Sequence, residues 1–523
     1  MPTYYGAEVH AGMGFDRAVL LADMALPTVA AMAPADFHVT LCDEGISEAD
    51  LDTPADFVGI TGKISQETRM IELAREFRRR GKVVIIGGPY ASLSPHRLRA
   101  ECDILVRGEM EGIAEQFFAD LRSGTWQREY TGDKPDLSLS PIPRWDLYPN
   151  GRALSGMLQT SRGCPFECEF CDVIQYLGRK QRHKVPAQVL AELDELYRYN
   201  YRFVFLADDN FTVYPARTKE LLAAIREWND ARTAGRVSFS TQVSIDCTRD
   251  PEMLRLCSEA GLVNVFVGIE TPSADSLKET KKRQNIGIDM AGRIARFCEH
   301  GILVSGGMML GFDADTTDIF TQQYEFGMSL AVPKFTVTPL SAPMATPLYS
   351  RLLAENRIVD AGSEAPAAFP WTTNIVPKQM TRGELIDGTR WLCNRLYRPV
   401  AFEHRLTRFI DQYRGPAPRG NSGSQNPVGR QVDFEHSQIS RSVARLGPAE
   451  DAMVARIRKR VERNPEALPL VLLAFGYYMQ IRYIYQTSGL WSPELGEQAR
   501  PQFAPRQQMF ANAHSAQEAL RVL

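Results

Sequence analysis

Short apolar runs alternate with amphipathic helical patterns along residues 1–125. The apolar runs predict strands at 37–42 (FHVTLC), DFVGIT, KVVIIGG and DILVRG, and the amphipathic stretches predict helices at 17–32, 66–80 and 111–121. Because strands that alternate with helices form parallel sheets, this pattern predicts an α/β domain with a doubly wound, Rossmann-like sheet. No strand is predicted ahead of the first helix, which is unusual for such a sheet.

The alternation stops over residues 126–155, a stretch rich in Pro, Asp and Ser that is expected to be a linker, and it resumes at residue 156. Six consecutive βα units then predict a partial TIM-type barrel over residues 156–340. A full barrel of eight units is the competing prediction, but the pattern breaks after Pro339. The predicted strands are GMLQTS, RFVFLA, VSFSTQ, LVNVFVG, ILVSGGMML and KFTVT, and the helices are expected to begin near Pro186, Ala216, Pro251, Ile288 and Thr316.

Beyond the predicted barrel the chain changes character again. Residues 341–413 mix turn clusters with helices and are expected to form a C-terminal extension. Residues 414–430, rich in Gly, Pro, Ser and Asn, are expected to be a second linker, and residues 431–523 a helical C-terminal domain. This division agrees with the length, because 523 residues are too many for one hydrophobic core.

Charge and hydrophobicity exclude several classes of function. Sixty basic and 63 acidic residues give a net charge of −3, so the chain lacks the basic surface that binds nucleic acid. The longest apolar run, at 468–475, is shorter than a membrane span, and the first residues lack the pattern of a signal peptide. A cytoplasmic protein without a membrane span is therefore expected. The basic residues Lys281, Lys282 and Arg283 are expected on a solvated surface.

Three of the nine cysteines cluster where the first barrel strand is expected to end. Cys164, Cys168 and Cys171 have the spacing Cys-x3-Cys-x2-Cys, and the other six cysteines are expected to be packing residues. Active sites of TIM-type barrels form at the carboxyl ends of the strands. Three thiolates can hold an iron–sulfur cube with one iron left open, whereas a structural zinc site needs a fourth ligand. A zinc knuckle completed by His183 is the alternative.

The cysteine spacing, Phe170 just before the third cysteine and the six-unit barrel resemble the radical S-adenosylmethionine (SAM) superfamily over about residues 150–340. In that superfamily three cysteines hold a 4Fe–4S cluster, and SAM chelates the open iron. One electron then cleaves SAM to methionine and a 5′-deoxyadenosyl radical, which removes hydrogen from an unactivated carbon. The resemblance implies that Cys164, Cys168 and Cys171 are the catalytic metal ligands. It also implies a small-molecule substrate and an external electron donor such as flavodoxin or ferredoxin.

The same resemblance implies SAM-binding residues at the ends of the barrel strands. An aromatic residue is expected to pack on the adenine, carboxylates to bind the amino group or ribose, and glycines to let the adenine approach the backbone. The alternative for the aromatic residue is core packing. The alternatives for the carboxylates are helix capping at 208 and 209 and a surface position at 270, and the alternative for the glycines is a strand bulge. The residues are Phe170, Asp208, Asp209, Glu270, Gly306, Gly307 and Gly311.

A doubly wound domain ahead of such a barrel resembles the cobalamin-binding domain of the cobalamin-dependent class. In the loop CDEGISEAD, Gly45 stands where that domain's cobalt-binding histidine would be, and His38 is not at the matching position. The resemblance therefore implies cobalamin without a protein histidine ligand to cobalt. A domain that serves only as scaffold or substrate wall is the alternative. The implied cobalamin-binding residues are Asp43, Gly45, Gly87, Gly88, Gly108 and Glu109.

Residues 340–410 resemble the C-terminal extension of the subgroup that includes hopanoid C-methylases. The expected function is therefore a cobalamin-dependent radical SAM methyltransferase that acts on an unactivated carbon. One alternative is a radical SAM cyclase, ring-contraction, rearrangement or carbon–carbon coupling enzyme without methyl transfer. A zinc-stabilised binding or scaffold protein is the third hypothesis.

Overall fold

The computed structural model of the protein describes residues 16–359, 371–415 and 437–503. The described chain begins with the short strand β1 (Val19–Leu21) and helix α1 (Ala25–Met32). Four parallel strands then form a sheet in chain order: β2 (Phe57–Thr61), β3 (Val83–Gly87), β4 (Ile104–Arg107) and β5 (Glu129–Thr131). The helices of this sheet domain are α2 (Glu67–Arg79), α3 (Pro89–Leu93), α4 (Pro95–Leu98) and α5 (Ala114–Ser123).

Both faces of this sheet are covered, as the continuous apolar strands predict. On one face Val84 and Ile86 of β3 pack with Phe77 of α2. On the other face Ile104 and Val106 of β4 pack with aromatic residues of α5 and β5. Because successive side chains of a strand point to opposite faces, β2, β3 and β4 each contribute to both cores. The prediction of a Rossmann-like parallel sheet is confirmed.

Three details of the predicted N-terminal region are wrong. Residues 37–42 form no strand, because Phe37 turns away to pack on the Phe118 ring, 5.3 Å between centroids. The helix predicted at 17–32 is divided into β1 and the shorter helix α1. The predicted linker at 126–155 contains β5, whose residue Tyr130 is buried in the sheet domain.

The second sheet is a parallel half-barrel in which β1 forms one edge. The spatial order is β1, then β6 (Ala153–Leu158), β9 (Phe203–Leu206), β10 (Ser238–Val243), β11 (Leu262–Glu270), β12 (Leu303–Leu310) and β13 (Lys334–Pro339). The antiparallel pair β7 (Ser161–Arg162) and β8 (Arg182–His183) lies between β6 and β9 in the chain. The six predicted strands and the partial barrel are confirmed, and β1 adds a seventh strand.

The helices of the barrel begin close to the positions that the sequence predicts. Pro186 and Pro251 each occupy the first turn of a helix, where a missing N–H costs nothing. Gly261, with a φ of 101°, ends its helix in a left-handed conformation that disfavours other residues. The helices are α6 (Val173–Tyr176), α7 (Pro186–Arg198), α8 (Pro215–Asp230), α9 (Pro251–Ala260), α10 (Ala274–Glu279), α11 (Met290–Glu299) and α12 (Ile319–Ser329).

The C-terminal region is helical in its described residues and shares its core with the barrel. Most of the predicted linker at 414–430 lies outside the described residues. The apolar run at 468–475 begins a helix that is long and apolar enough to cross a membrane, but 61% of its most apolar window is buried. The helices are α13 (Pro347–Ala354), α14 (Arg382–Leu396), α15 (Pro399–Gln412), α16 (Gln438–Ala444), α17 (Pro448–Val461), α18 (Leu468–Thr487) and α19 (Pro493–Glu497).

Candidate active site at the mouth of the half-barrel

The three clustered cysteines lie on the loop after β6 and β7, and we call residues 163–172 the cluster loop. Cys168 is buried, and Cys164 and Cys171 are half-buried. Burial raises the pKa of all three thiols, that of Cys171 to about 12. Neighbouring thiols add to this rise at Cys164 and Cys171, so the three sulfur atoms are close enough to interact.

The donor set fits an iron–sulfur cube better than a single metal ion. His183, the candidate fourth zinc ligand, packs edge-on against Tyr214, with 5.5 Å between ring centroids. Within 16–359, 371–415 and 437–503, no three His, Cys, Asp or Glu side chains are arranged to hold one ion. A four-iron cube spreads its thiolates farther apart than one ion does, because each binds a different iron. Three interacting thiols without a fourth ligand suit such a cube.

Two carboxylates at the end of β9 fix the start of the cluster loop. Asp208 is fully buried, and its oxygens accept hydrogen bonds from Thr160 N, Thr160 Oγ1 and Ser161 N at 2.6–2.8 Å. Burial raises the pKa of Asp208 to about 6. Asp209 Oδ2 accepts a hydrogen bond from Gly163 N at 2.9 Å. Both residues therefore hold backbone next to Cys164, and their predicted contact with SAM stays a prediction.

Glu270 lies at the end of β11 in a strained backbone conformation. Its φ of 65° is rare for a bulky residue, and the pairing of β11 with β12 shifts register between Gly268 and Glu270. Such strain is typical of functional sites. The Glu270 carboxylate pairs with Lys282 Nζ at 2.9 Å, and Gln323 Nε2 donates to the Glu270 carbonyl at 2.7 Å.

Lys282 is the functional candidate that the sequence analysis missed. Its side chain is only 14% exposed, so the prediction of a solvated basic surface is wrong for this residue. Burial opposes its charge, but the negative charges of Glu270 and Cys168 raise the pKa of Lys282 above its ordinary value. A single lysine inside a run of basic residues carries no signal of burial. The cluster loop thus has a buried cation beside its thiols.

Packing against neighbouring elements requires the two glycines of β12 and Gly311, which follows the strand. A Cβ at Gly306 would lie 2.8 Å from the Phe335 ring, and a Cβ at Gly307 would lie 2.9 Å from the Phe266 ring. Gly311 has a φ of 101°, and a Cβ there would lie 2.6 Å from Leu385. These close contacts explain why glycine occupies the three positions, whether or not a ligand binds there. Their predicted approach to adenine stays a prediction.

Phe170 lies on the cluster loop and joins a small apolar cluster beside the barrel. Its ring centroid is 6.4 Å from that of Phe312, and Met309 and Met344 pack against the same cluster. The side chain is half-buried, so part of its surface is free to contact a ligand. Both the predicted stacking on adenine and ordinary packing are compatible with this position.

Three of the four glycines assigned to cobalamin lie at the carboxyl ends of the sheet domain's strands. Gly88 and Gly108 have φ values of 92° and 74°, and side chains there would overlap Thr61 Oγ1 and the Gly132 carbonyl. A Cβ at Gly87 would make only an ordinary contact with Val106, at 3.5 Å. The protein's own packing thus requires two of the three glycines. A role for all three in binding cobalamin stays a prediction.

Glu109 and Glu111 connect the sheet domain to β7 and β8, next to the cluster loop, through buried ion pairs. Glu109 pairs with Arg162 at 2.6 Å and with Arg182 at 2.5 Å, and Glu111 pairs with Arg162 at 2.7 Å. The side chains of all four are at most 12% exposed. Arg162 comes two residues before Cys164, a position that could have drawn attention to it. Glu109 therefore holds β7 and β8, and its predicted contact with cobalamin stays a prediction.

Asp43 and Gly45 lie in a loop that faces the first strands of the barrel. Asp43 Oδ1 accepts a hydrogen bond from Gly45 N at 2.9 Å, and Asp43 Oδ2 accepts one from the Tyr148 hydroxyl at 2.7 Å. A Cβ at Gly45 would lie 2.7 Å from Val19 of β1. The loop that matches the family's histidine loop therefore rests on the edge of the half-barrel.

The carboxyl edge of the sheet domain packs on the helix that follows the cluster loop. Helix α3, which follows Gly88, contacts α6, which begins just after Cys171. Lys63 lies two residues beyond β2 and close to Asp172 and Asp23. Burial raises the pKa of both carboxyls, and the positive charge of Lys63 opposes this rise. A cofactor held at this edge would therefore adjoin the thiols.

Comparisons with known proteins agree with this arrangement. Residues 158–320 match the model of the radical SAM superfamily, and residues 346–481 match a domain of unknown function (DUF4070). An uncharacterized methyltransferase from Synechocystis sp. is 37% identical over 66% of this chain and 65% of its own length. The hopanoid C-2 methylase of Rhodopseudomonas palustris is 32% identical over 66% of each chain. The chain thus spans just under two thirds of the length of these relatives.

The fold is also similar to that of a solved structure. The cobalamin-dependent SAM radical enzyme OxsB, determined with aqua-cobalamin and SAM bound, matches with a TM-score of 0.57. The match covers 90% of this chain and 78% of that one at 15% sequence identity, which establishes likeness of fold. The three-cysteine loop lies at the mouth of a parallel half-barrel and within the matched region. The chain contains a radical SAM domain over residues 158–320.

Proposed function

We propose that the protein is a cobalamin-dependent radical SAM methyltransferase that methylates an unactivated carbon of a small molecule. The observation that carries this proposal is the packing of the sheet domain's carboxyl edge on β7 and α6, the two elements that flank the cluster loop. Ligands of open α/β sheets bind at the carboxyl ends of the strands. Cobalamin at that edge would face SAM at the barrel mouth, which is the arrangement that methyl transfer to a substrate radical requires.

The chain's own residues hold the reacting groups in place and keep water away. Cys164, Cys168 and Cys171 would hold a 4Fe–4S cluster, which supplies the electron that cleaves SAM, and cobalamin would supply the methyl group. Asp208 and Asp209 fix the backbone before the first cysteine. The cluster loop is hydrogen-bonded to the barrel at Thr280 and lies near Lys63 of the sheet domain, and exclusion of water at this junction would protect a carbon radical from unwanted hydrogen donors.

The supporting relatives include a methylase that carries out carbon methylation by name, which favours methyl transfer over cyclisation or rearrangement. We infer a cytoplasmic location, because the six cysteines outside the cluster loop are free thiols in the structure and a reducing compartment keeps them so. We infer a flavodoxin or ferredoxin as electron donor, since the proposed reaction consumes one electron for each SAM cleaved.

Anaerobic reconstitution tests the cluster. The wild-type chain should bind about four iron and four sulfide ions and form 5′-deoxyadenosine from SAM with dithionite. The Cys168→Ala variant should lose both properties. The matched control is Cys257→Ala, which truncates a buried cysteine of the barrel core and should retain both. Formation of 5′-deoxyadenosine by Cys168→Ala at the wild-type rate would refute the assignment of the ligands.

Purification with cobalamin supplied tests methyl transfer separately. A corrinoid absorption spectrum that remains after gel filtration is expected, together with S-adenosylhomocysteine formed alongside 5′-deoxyadenosine when substrate is present. The S-adenosylhomocysteine would arise because a second SAM would remethylate the cobalt, once a further electron from the external donor had reduced it. A chain that cleaves SAM reductively but retains no corrinoid would contradict the methyltransferase and favour the cyclase or rearrangement alternative.

A further inference from the structure

The cluster loop is fixed on its far side by the C-terminal extension. Glu169 lies between Cys168 and Phe170, and its side chain is only 11% exposed. Its carboxylate binds the Arg351 guanidinium through two hydrogen bonds, Nε–Oε1 at 2.8 Å and Nη2–Oε2 at 3.1 Å. Paired hydrogen bonds of this kind fix orientation as well as distance.

The backbone of Glu169 is bound on both sides as well. Glu169 N donates to the Thr280 carbonyl of the barrel at 3.2 Å. Leu348 N, in the first turn of α13, donates to the Glu169 carbonyl at 3.2 Å. All the polar groups of this residue therefore have partners, and α13 supplies two of them. Helix α13 lies within the region matched by the domain of unknown function.

Arg351 is itself held rigidly by a second carboxylate. Its Nη1 donates to Asp313 Oδ2 at 2.7 Å, and Asp313 also pairs with Arg357. The hydrogen bonds to Glu169 and Asp313 raise the pKa of Arg351 above its ordinary value. Burial would raise the pKa of Asp313, but the hydrogen bonds from the two arginines hold it below its ordinary value. Because Asp313 follows β12 closely, the guanidinium is tied to the barrel and to the cluster loop at once.

We propose that Arg351 is a positioning residue for the cluster loop, through which the domain of unknown function fixes the peptide between the second and third cluster cysteines. This role rests on the proposed function, in which those cysteines hold the cluster. Arg351 touches no reacting atom. It restricts the loop through Glu169, so that Cys168, Phe170 and Cys171 keep one arrangement whether or not the cluster is bound.

Hydrogen–deuterium exchange of the full apo chain tests the proposal without the cluster. In Arg351→Gln, amides of residues 164–173 should exchange about 10-fold faster, because the paired hydrogen bonds that close the loop are lost. Arg351→Lys keeps the charge and one hydrogen bond and should restore part of the protection. The matched control is Arg456→Gln, which breaks a paired ion pair with Glu403 in the helical region and should leave the loop unchanged.

A second measurement uses the reconstituted enzyme. Iron should be lost to an external chelator about 10-fold faster in Arg351→Gln than in the wild type or Arg456→Gln. If Arg351→Gln does not fold, Glu169→Gln, which retains the backbone hydrogen bonds, should show the same direction of change in both assays. The proposal would be overturned if Arg351→Gln had an unchanged melting temperature and its hydrogen exchange and iron loss were both within twofold of wild type. A wild-type chain that takes up no cluster would refute the proposed function, while the exchange result still decides the role of Arg351.

Discussion

Replacement of Asp208 separates its effect on stability from its predicted contact with SAM. Asp208 is fully buried, and burial raises its pKa from 3.8 to about 6. A folded-state pKa above the unfolded value means that the folded protein favours the protonated acid. The stability that this group contributes is therefore fully present below pH 3.8 and is lost as the pH rises through 6.

The size of this effect follows from the difference between the two pKa values, which corresponds to about 3 kcal/mol. Asparagine resembles the protonated acid: its oxygen can accept from Thr160 N and Ser161 N, and its amide can donate to Thr160 Oγ1. Asp208→Asn should therefore be more stable than wild type at pH 8 by up to about 3 kcal/mol, and the two should be nearly equal at pH 4. Asp208→Ala leaves two buried N–H groups without acceptors, which costs about 1–3 kcal/mol each.

Thermal unfolding of the apo chain at pH 4, 6 and 8 measures these differences. At about 2–4 °C per kcal/mol for a domain of the barrel's size, the transition of Asp208→Asn at pH 8 should lie about 6–12 °C above that of wild type. If Asp208→Asn lowered the unfolding temperature as much as Asp208→Ala at every pH, the reasoning would be refuted. Binding of SAM to the reconstituted Asp208→Asn variant tests the predicted contact separately, since a direct ligand to the amino group would weaken SAM binding when its charge is removed.

Three further predictions concern the neighbours of the cluster loop. Glu109→Gln should destabilise the protein by about 3–5 kcal/mol, because the buried Arg182 loses the carboxylate charge with which it pairs, whereas Arg162 keeps Glu111. Chemical denaturation measures this loss, and a value below about 1 kcal/mol would contradict the reasoning. Gly311→Ala should lower the melting temperature through its positive φ and its overlap with Leu385, and the loss that it causes should be smaller when it is measured in a Leu385→Ala background. Lys282→Gln should lower the midpoint potential of the bound cluster, because a nearby positive charge favours the reduced form; an unchanged potential in a redox titration would exclude this electrostatic role.

Patterns that repeat along the chain predicted much of the fold. The alternation of apolar runs with helical patterns located the six strands of the barrel and three strands of the sheet domain, because burial on both faces requires continuous apolar residues. Residues 37–42 show the limit of that signal: their pattern suits a strand, but a strand also needs a partner, and Phe37 packs on α5 instead. The three residues of β1 were missed because so short a run fits a helix equally well.

The candidate site was predicted in part for a similar reason. The spacing of the cysteines is local and therefore readable, as is the acidic pair at 208 and 209. The partners of charged residues are not local: Glu169 and Arg351 are 182 residues apart, and Glu109 and Arg162 are 53 apart. No property of either residue alone identifies its partner, since tertiary packing decides which opposite charges meet. The sequence analysis therefore predicted that some residues that hold the loop bind a ligand, and it overlooked others.

The pairing of β1 with β6 makes the sheet domain an insertion within the half-barrel rather than a module joined to its end. Ala22 N donates to the Ser155 carbonyl, so the chain leaves and re-enters the barrel sheet at neighbouring points. An exchange of sheet domains between relatives would therefore need two junctions, near residues 22 and 152. A chain cut at one point, near residue 126, would lose β1 and leave the edge of β6 free to pair with another molecule.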